Sequence, residues 1–278
     1  MRAMLITPTH PETGSEAVAT AVEAAREHGV ELIATGDELE KHGEAAAGTE
    51  LVADGERPDV CIVLGGDGSI LYALRRFSDT GVPVFGINFG TIGFLTAVER
   101  DELSEGLRRA FTGDYEVMDL PALRVDLPVD MPVALNDVSF VRRPHGRVAE
   151  LSYRIGTEEV GNVRCDGLVA ATPAGSTGYN LANAGPILAW GVKGYVVSFI
   201  APHTLAARAL VVAPDDPLSV SNAAGREPVE ISLDGDAAGE LEPGAELQIR
   251  FVEGVGRLAQ LPGANFYHRI REKFGKLA

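Results

Sequence analysis

The sequence has little cysteine, little lysine and no long apolar run. Its two cysteines, Cys61 and Cys165, lack a C-x-x-C spacing. That excludes a zinc site or a disulfide framework and leaves both as small buried hydrophobes. No apolar stretch approaches the ~18 residues that cross a bilayer. The opening MRAMLITPTH has too short an apolar part for a signal peptide. A cytoplasmic protein that uses no membrane is the expectation. A Walker A lysine and a Ser-His-Asp pattern are also missing, and the six histidines are scattered. His203, in Ala201-Pro202-His203, is the one histidine singled out, with a structural role favoured over a catalytic one. No metal site built from protein side chains is expected.

Positive charge is scarce too. Lys and Arg number 24 against 40 Asp and Glu, a net charge of −16. Only Lys41, Lys193, Lys273 and Lys276 are lysines. Such a surface repels phosphate backbones, so nucleic acid is excluded as a general partner. The acid-rich, lysine-poor, alanine- and valine-rich composition resembles proteins of salt-in halophiles, such as halophilic archaea. An ordinary acidic protein from a GC-rich organism is the alternative.

What is present falls into two textures. Over 1–120, short apolar runs alternate with helical patterns: strands at 3–7, 30–34, 59–64 and 82–87, helices at 15–28, 69–78 and 101–111. Thr13-x-x-Glu16 reads as a capping box, and 43–48 (GEAAAG) as a flexible loop. This alternation predicts a Rossmann-like α/β domain with a parallel sheet. From 121 to 261, strand-like pieces follow one another between Gly-, Pro- and Asp-rich turns: 122–127, 133–142, 148–156, 167–172, 194–200, 208–213, 217–221, 229–233 and 246–252. They predict an antiparallel, β-rich second domain. The tail 262–278 carries an amphipathic helix at 266–275, expected to pack back on the first domain.

Three strings carry chemistry. The strand 59–64 runs into Gly65-Gly66-Asp67-Gly68-Ser69 and then a helix. Glycines let backbone N–H groups approach an anion at a helix start, and open α/β sheets bind ligands beyond their strand ends. Asp67 repels phosphate unless it has a task, and two tasks fit: taking a hydroxyl proton or holding Mg²⁺. A tight turn with a solvated Asp is the other reading. Asn88-Phe89-Gly90-Thr91-Ile92-Gly93-Phe94-Leu95 follows the next strand. The longest string runs Arg164-Cys165-Asp166-Gly167, a strand, then Pro173-Ala174-Gly175-Ser176-Thr177-Gly178-Tyr179. It presents hydroxyls and backbone to a flat ligand, or forms a surface turn with Ser176 or Thr177 capping a helix. Asn136-Asp137 interrupts an apolar strand, as a pocket or an edge strand would.

The ordered set GGDGS at 65–69, NFGTIGFL at 88–95, LND at 135–137, RCDG at 164–167, TPAGSTGYNLANAGPI at 172–187, APH at 201–203 and LDGD at 233–236 closely resembles the NAD kinase family. The resemblance spans nearly the whole chain. GGDG is shared with diacylglycerol kinases and 6-phosphofructokinases; the TP-x-GST-x-Y loop is the specific element. The resemblance implies a phosphotransferase that moves a phosphoryl group from ATP or polyphosphate to the adenosine 2′-hydroxyl of NAD, with Mg²⁺ or another divalent cation accompanying the donor. Asp67 would be the catalytic base, with Gly68 beside it in the NAD site. Gly65, Gly66, Gly68 and Ser69 would form the phosphate-binding turn. Asn136, Asp137, Arg164, Asp166, Thr177, Gly178, Tyr179, Ala182 and Ala201 would contact NAD. A homo-oligomer, dimer or tetramer, is expected.

Departures from the pattern are Asp137 where Glu is usual, Gly178 where Ala is usual before the tyrosine, Ala182 where Ser is frequent, and Asp236 where Gln is usual. The competing readings are a lipid or sugar kinase sharing GGDG, which has no reason to carry the 172–187 loop, and a non-catalytic NAD(P)-binding regulator, which could dispense with Asp67.

The composition yields a first prediction. At about 0.1 M salt the Debye length is near 10 Å, long enough for neighbouring carboxylates to repel, and it falls to about 3 Å at 1 M. Circular dichroism melts of ligand-free protein should therefore show a melting temperature that rises from about 0.1 to about 2 M KCl. A flat or falling series would show the acidity to be ordinary.

Overall fold

The computed structural model describes residues 1–8, 14–90, 93–222 and 226–275. Thr13 of the expected capping box lies outside them. The chain divides into two compact units, Met1–Asp119 with Gly256–Ala278, and Leu120–Val255.

The first unit is built on the strands β1 (Arg2–Ile6), β2 (Glu31–Ala34), β3 (Glu50–Leu51), β4 (Val60–Gly65), β5 (Val84–Asn88) and β6 (Val98–Glu99). Of these, β1, β2, β4 and β5 carry apolar runs covered on both faces. The order β5-β4-β1-β2-β3 is parallel throughout, with Cys61 beside Val84, Ala3 beside Val60, Arg2 beside Glu31 and Ile33 beside Glu50. Between the strands run α1 (Ser15–Glu27), α2 (Gly36–His42), α3 (Asp67–Arg76) and α4 (Leu103–Thr112). Helix α1 buries Ala17, Val18, Ala21, Val22 and Ala25, a stripe at helical spacing. Helix α4 buries Leu107, Ala110 and Phe111 and stops at Gly113, which takes a left-handed φ of 73°.

Two details differ from the sequence reading. Residues 36–42 form a helix, and Gly43–Ala46 a 3₁₀ turn rather than a flexible loop. The cause is tertiary: the Thr7 hydroxyl donates to buried Glu38 at 2.6 Å and Ala46 is buried in the core. Helix α3 also starts at Asp67, two residues before the expected Ser69, because Gly66 takes the N-cap position.

The second unit holds β7 (Glu116–Val125, which crosses in from the first), β8 (Val133–Ala134), β9 (Asp137–Arg142), β10 (Ala149–Ile155), β11 (Glu158–Cys165), β12 (Gly167–Ala171), α5 (Tyr179–Ala182), β13 (Tyr195–Ile200), β14 (Leu210–Val212), β15 (Leu218–Ser221), β16 (Val229–Leu233), β17 (Asp236–Leu241) and most of β18 (Glu246–Gln260). An antiparallel sheet runs β14-β13-β12-β9-β16-β17. A second antiparallel set runs β11-β10-β15-β18. Phe140, Leu168, Tyr195, Leu218, Val220 and Ile249 share the core. The Tyr195 hydroxyl, carried in with its ring, donates to the Asp216 carbonyl at 2.7 Å. The last five residues of β18 return to the first unit, where Leu258 pairs with Val84 in parallel, and α6 (Phe266–Phe274) follows.

β12 is apolar along its whole length because it is covered twice. Leu168 and Ala170 face the main core, while Val169 and Ala171 pack with Leu188 of the following loop. That loop is the glycine- and hydroxyl-rich segment from 172.

The expected strand 133–142 is broken at Leu135-Asn136, and a distant carboxylate breaks it. Asp234, in the turn between β16 and β17, accepts the N–H groups of Leu135, Asn136 and Asp137 at 2.9, 2.7 and 3.0 Å. Its own backbone takes a positive φ of 53°. Asp137 is left buried at 8% exposure. Burial, reinforced by the Asp234 charge, pushes its carboxyl up to about 7. From roughly pH 4 to 7 the folded chain then holds a proton that the unfolded chain has released, so this group's contribution to stability falls as pH rises. Asp137→Asn should stabilise the fold at pH 8 by on the order of 1–4 kcal/mol, read as a higher melting temperature, and change it little at about pH 4. Equal shifts at both pH values would show that Asp137 carries no proton in the fold.

Candidate active site

In the first unit the glycine turn at 65–69 sits at the carboxyl end of β4, where parallel strands expose their ligand edge. Gly65 ends the strand, Gly66 caps α3, and Asp67, Gly68 and Ser69 form the helix's first turn. The next strand end lies against it. Phe89 N–H donates to the Gly65 carbonyl at 3.1 Å, and a Cβ on Gly90 would stand 3.3 Å from the Gly66 Cα. A glycine at position 90 lets the two turns approach without a shift of either backbone. A side chain at Gly68 would meet nothing within 4 Å, so the turn is open there.

Asp67 does not point free into this opening. One carboxylate oxygen accepts the Phe94 N–H at 2.8 Å and the other accepts the Leu95 N–H at 3.0 Å. Burial raises its affinity for a proton. The two N–H groups and the charges of Arg269 and Lys273 oppose that rise. The result is a fixed carboxylate with a heightened affinity for a proton, which suits a general base.

In the second unit the predicted residues form two groups, one at each end of β12. At the Ala171 end, Thr172 donates its hydroxyl to the Leu135 carbonyl at 2.5 Å and its N–H to the Asn136 carbonyl at 2.8 Å. Gly175 lies so close that a Cβ there would be 2.0 Å from the Asn136 carbonyl oxygen. This packing fixes Asn136 and Asp137 beside Thr177, which is half-buried, and Gly178 and Tyr179, which are exposed. The buried Oδ1 of Asn136 has no hydrogen-bond partner. Burial and the charges of Asp137 and Asp166 raise the Tyr179 phenol. Ser176 caps no helix. Its hydroxyl donates to the Pro173 carbonyl at 2.7 Å and accepts the Leu188 N–H at 2.9 Å, which closes the loop on itself. Ala182 is exposed on α5.

At the Gly167 end are Arg164, Asp166 and Ala201. Asp166 N–H donates to the Ile200 carbonyl at 2.9 Å and His203 N–H to the Arg164 carbonyl at 2.7 Å. Ala201 holds a positive φ of 41° and is exposed, a strained backbone for a residue with a Cβ. Asp166 is not free: Arg142 donates Nε at 2.7 Å and Nη2 at 3.4 Å, and this pairing holds the carboxyl below its ordinary range. The four spacings of β12 separate the two groups by roughly 13 Å.

Sequence reasoning missed Arg142, Asp234 and the tail residues around Asp67. No local motif marks Arg142. Asp234 lies in the Asp-Gly turn of LDGD, which read only as a departure, and Arg269 and Lys273 lie in the family-like tail NFYHRIREKFG, which gave them no role. Among the described residues, no three His, Cys, Asp or Glu side chains converge as a metal site.

Residues 15–115 match the family model for the ATP-NAD kinase N-terminal domain, and residues 135–258 the model for the ATP-NAD kinase C-terminal domain. The NAD kinase of Symbiobacterium thermophilum is 37% identical over 220 residues, 77% of this chain and 78% of that one. The NAD kinase of Rhodopirellula baltica is 33% identical over 222 residues, 78% of this chain and 71% of that one. Among solved structures, yeast NADH kinase complexed with NADH superposes with a TM-score of 0.86 at 21% identity, covering 100% of this chain and 88% of that one. An NAD kinase from Archaeoglobus fulgidus in complex with ATP does so at 0.74 and 24% identity, covering 99% and 98%. The structural likenesses show a shared fold. With both domain models matched in order and relatives above 30% identity over most of their length, the chain belongs to the NAD kinase family.

Proposed function

We propose that this chain transfers the γ-phosphoryl group of ATP to the adenosine 2′-hydroxyl of NAD, yielding NADP and ADP. The observation that carries the reading is Asp67: a carboxylate in the phosphate turn, fixed by two backbone N–H groups, with a raised proton affinity. A ribose hydroxyl is a poor nucleophile at neutral pH. In the reaction the 2′-oxygen bonds to the γ-phosphorus, the bond from that phosphorus to the β–γ bridging oxygen breaks, and the hydroxyl proton passes to Asp67. The rest is positioning and charge stabilisation.

Gly65, Gly66, Gly68 and Ser69 present the backbone edge at the start of α3 to the donor phosphates. This edge recognises phosphate rather than base, so it suits polyphosphate as well as ATP. A Mg²⁺ accompanying the donor would be held mainly by its phosphates and water. When bound, the ion neutralises charge on the transferred group.

On the NAD side, the unpartnered Asn136 Oδ1 suits a ligand N–H such as the adenine amino group. Tyr179 offers a ring to a flat base, and Thr177, Gly178 and Ala182 line the same loop. Asp137, Arg164, Asp166 and Ala201 complete the set of contacts, with Asp166 available to a ribose hydroxyl through the lone pairs that Arg142 leaves. We further read the protein as a cytoplasmic, salt-adapted enzyme, on its acidic composition.

Asp67→Asn should lower kcat by about 10²–10⁴-fold while NAD still binds. Retention of more than half the wild-type kcat would remove Asp67 from the role.

We also read the chain as a homo-oligomer. β14 ends its sheet and exposes Leu210 and Val211 at 39% and 49%, and nearby Leu205 is 94% exposed. A water-facing apolar edge suits a second copy. In analytical ultracentrifugation the wild type should sediment as a dimer or tetramer and Leu205→Glu with Leu210→Glu as a smaller species. A monomeric wild type would refute this.

A further inference from the structure

The function above uses Asp67 but leaves unexplained why the tail of the chain, after nearly the whole of the second unit, returns to the loop that grips it. Helix α6 begins at Asn265, whose side chain accepts the Tyr267 and His268 N–H groups at 2.8 and 3.4 Å. That cap fixes the first turn and aims Arg269 inward. Arg269 donates Nη1 to the carbonyls of Phe94 at 2.7 Å and Thr96 at 2.6 Å, and Nη2 to the Gln260 side-chain oxygen. Gln260, 5% exposed at the end of β18, donates Nε2 to the Leu95 carbonyl at 2.9 Å.

One of these peptides is also a peptide that holds Asp67. The Phe94 carbonyl and the Leu95 N–H belong to one planar peptide unit and point in opposite directions. Arg269 grips its oxygen, and its N–H donates to Asp67. The Leu95 carbonyl, fixed by Gln260, belongs to the next unit. A cation on one side of a peptide and a carboxylate on the other polarise it in the same sense, so each hydrogen bond strengthens the other. Two more contacts tie α6 to this loop: Phe274 packs on Phe94 at 5.4 Å, and Lys273 reaches Glu99 at 3.3 Å. Glu99 in turn accepts from Asn88, whose side-chain oxygen accepts the Gly90 N–H.

We infer that Arg269, assisted by Gln260, is a positioning residue for the phosphoryl transfer: it fixes the 94–96 loop so that the N–H groups of Phe94 and Leu95 hold the Asp67 carboxylate at one orientation. Arg269 touches neither reacting group in this scheme and acts by gripping the loop. Its charge also favours the ionised form of Asp67, the form able to take a proton. The inference rests on Asp67 being the base, and the test separates the two.

The experiment is steady-state kinetics with NAD, ATP and Mg²⁺ on the full chain carrying Arg269→Ala, Arg269→Lys, Asp67→Asn, or Asp67→Asn together with Arg269→Ala. Arg269→Ala should lower kcat by about 10–10²-fold with the KM for NAD and ATP within about 2-fold. The acid limb of its kcat–pH profile should move to higher pH, since the nearby cation is gone. Arg269→Lys keeps the charge and loses the fork, so its limb should stay while kcat still falls. Arg269 also lines a cavity of about 790 Å³ beside α6, so guanidinium at about 50 mM, far below denaturing concentrations, should restore part of the Arg269→Ala rate. The double variant should be no slower than Asp67→Asn alone, because a loop that orients a lost base has nothing left to orient.

Losses that multiply in the double variant, or a pH profile unmoved in Arg269→Ala, would overturn the inference. If Arg269→Ala does not fold, Arg269→Lys and Gln260→Met decide by the same split of kcat from KM. An active Asp67→Asn would instead overturn the base assignment, whatever Arg269 does.

Discussion

Two backbone N–H groups, those of Phe94 and Leu95, close on one carboxylate, Asp67, and much of the first unit is arranged so that they can. The carboxylate must stand at the start of a helix, so β4 ends in glycines that turn the chain without bulk. The donors must come from the neighbouring strand's loop, so β5 lies parallel to β4 with its end in register, Gly65 beside Asn88. The loop's carbonyls then face away from Asp67 into a partly buried space, where they need donors of their own. Gln260 and Arg269 supply them. Strand order, loop shape and the position of the tail all follow from satisfying one buried acid and the peptides that serve it.

The second unit solves a similar problem with a similar device. Asp234 gathers three consecutive N–H groups of the 135–137 segment, and Thr172 takes the carbonyls of Leu135 and Asn136. Leu135 and Asn136 are thereby removed from ordinary strand pairing, and their backbone groups are still bonded. In both units a carboxylate from a distant point of the chain replaces a β-ladder where the backbone must bend. The arrangement is costly to disturb, since an N–H that loses its carboxylate partner becomes a buried unsatisfied donor.

The fold was legible where periodicity and glycine speak locally. The runs at 59–64 and 82–87, and the glycine strings after them, marked the parallel strands and the turn at their ends. The strands at 158–165 and 236–241 escaped notice because their sequences, EEVGNVRC and DAAGEL, are polar: both lie at sheet margins with largely exposed faces. Helix 36–42 was invisible because a threonine some thirty residues earlier stabilises it. For the candidate site, the family-like strings named Asp67 and the 172–187 loop, and physical chemistry alone left Asp67 between base, metal ligand and bystander. The residues that fix the geometry were not legible. Arg142 pairs with Asp166 across 24 positions, Asp234 with Asn136 across 98, and Arg269 with Phe94 across 175. Nothing in a local window joins such pairs; only the folded topology does.

The discontinuity of the first unit bears on how the chain matures. Domains generally form in order of emergence during synthesis, yet this one has its first 119 residues at one end and its closing segment beyond residue 255. The β4–β5 pair can assemble early from neighbouring segments, whereas Leu258 must find Val84 over a separation that makes the contact slow to form. Until it does, the carbonyls of the 94–96 loop lack Gln260 and Arg269. A nascent chain can therefore own the glycine turn and its acid long before that acid is held in place, and the order of translation delays the finished geometry around Asp67 until the segment carrying Gln260 and Arg269 has been made.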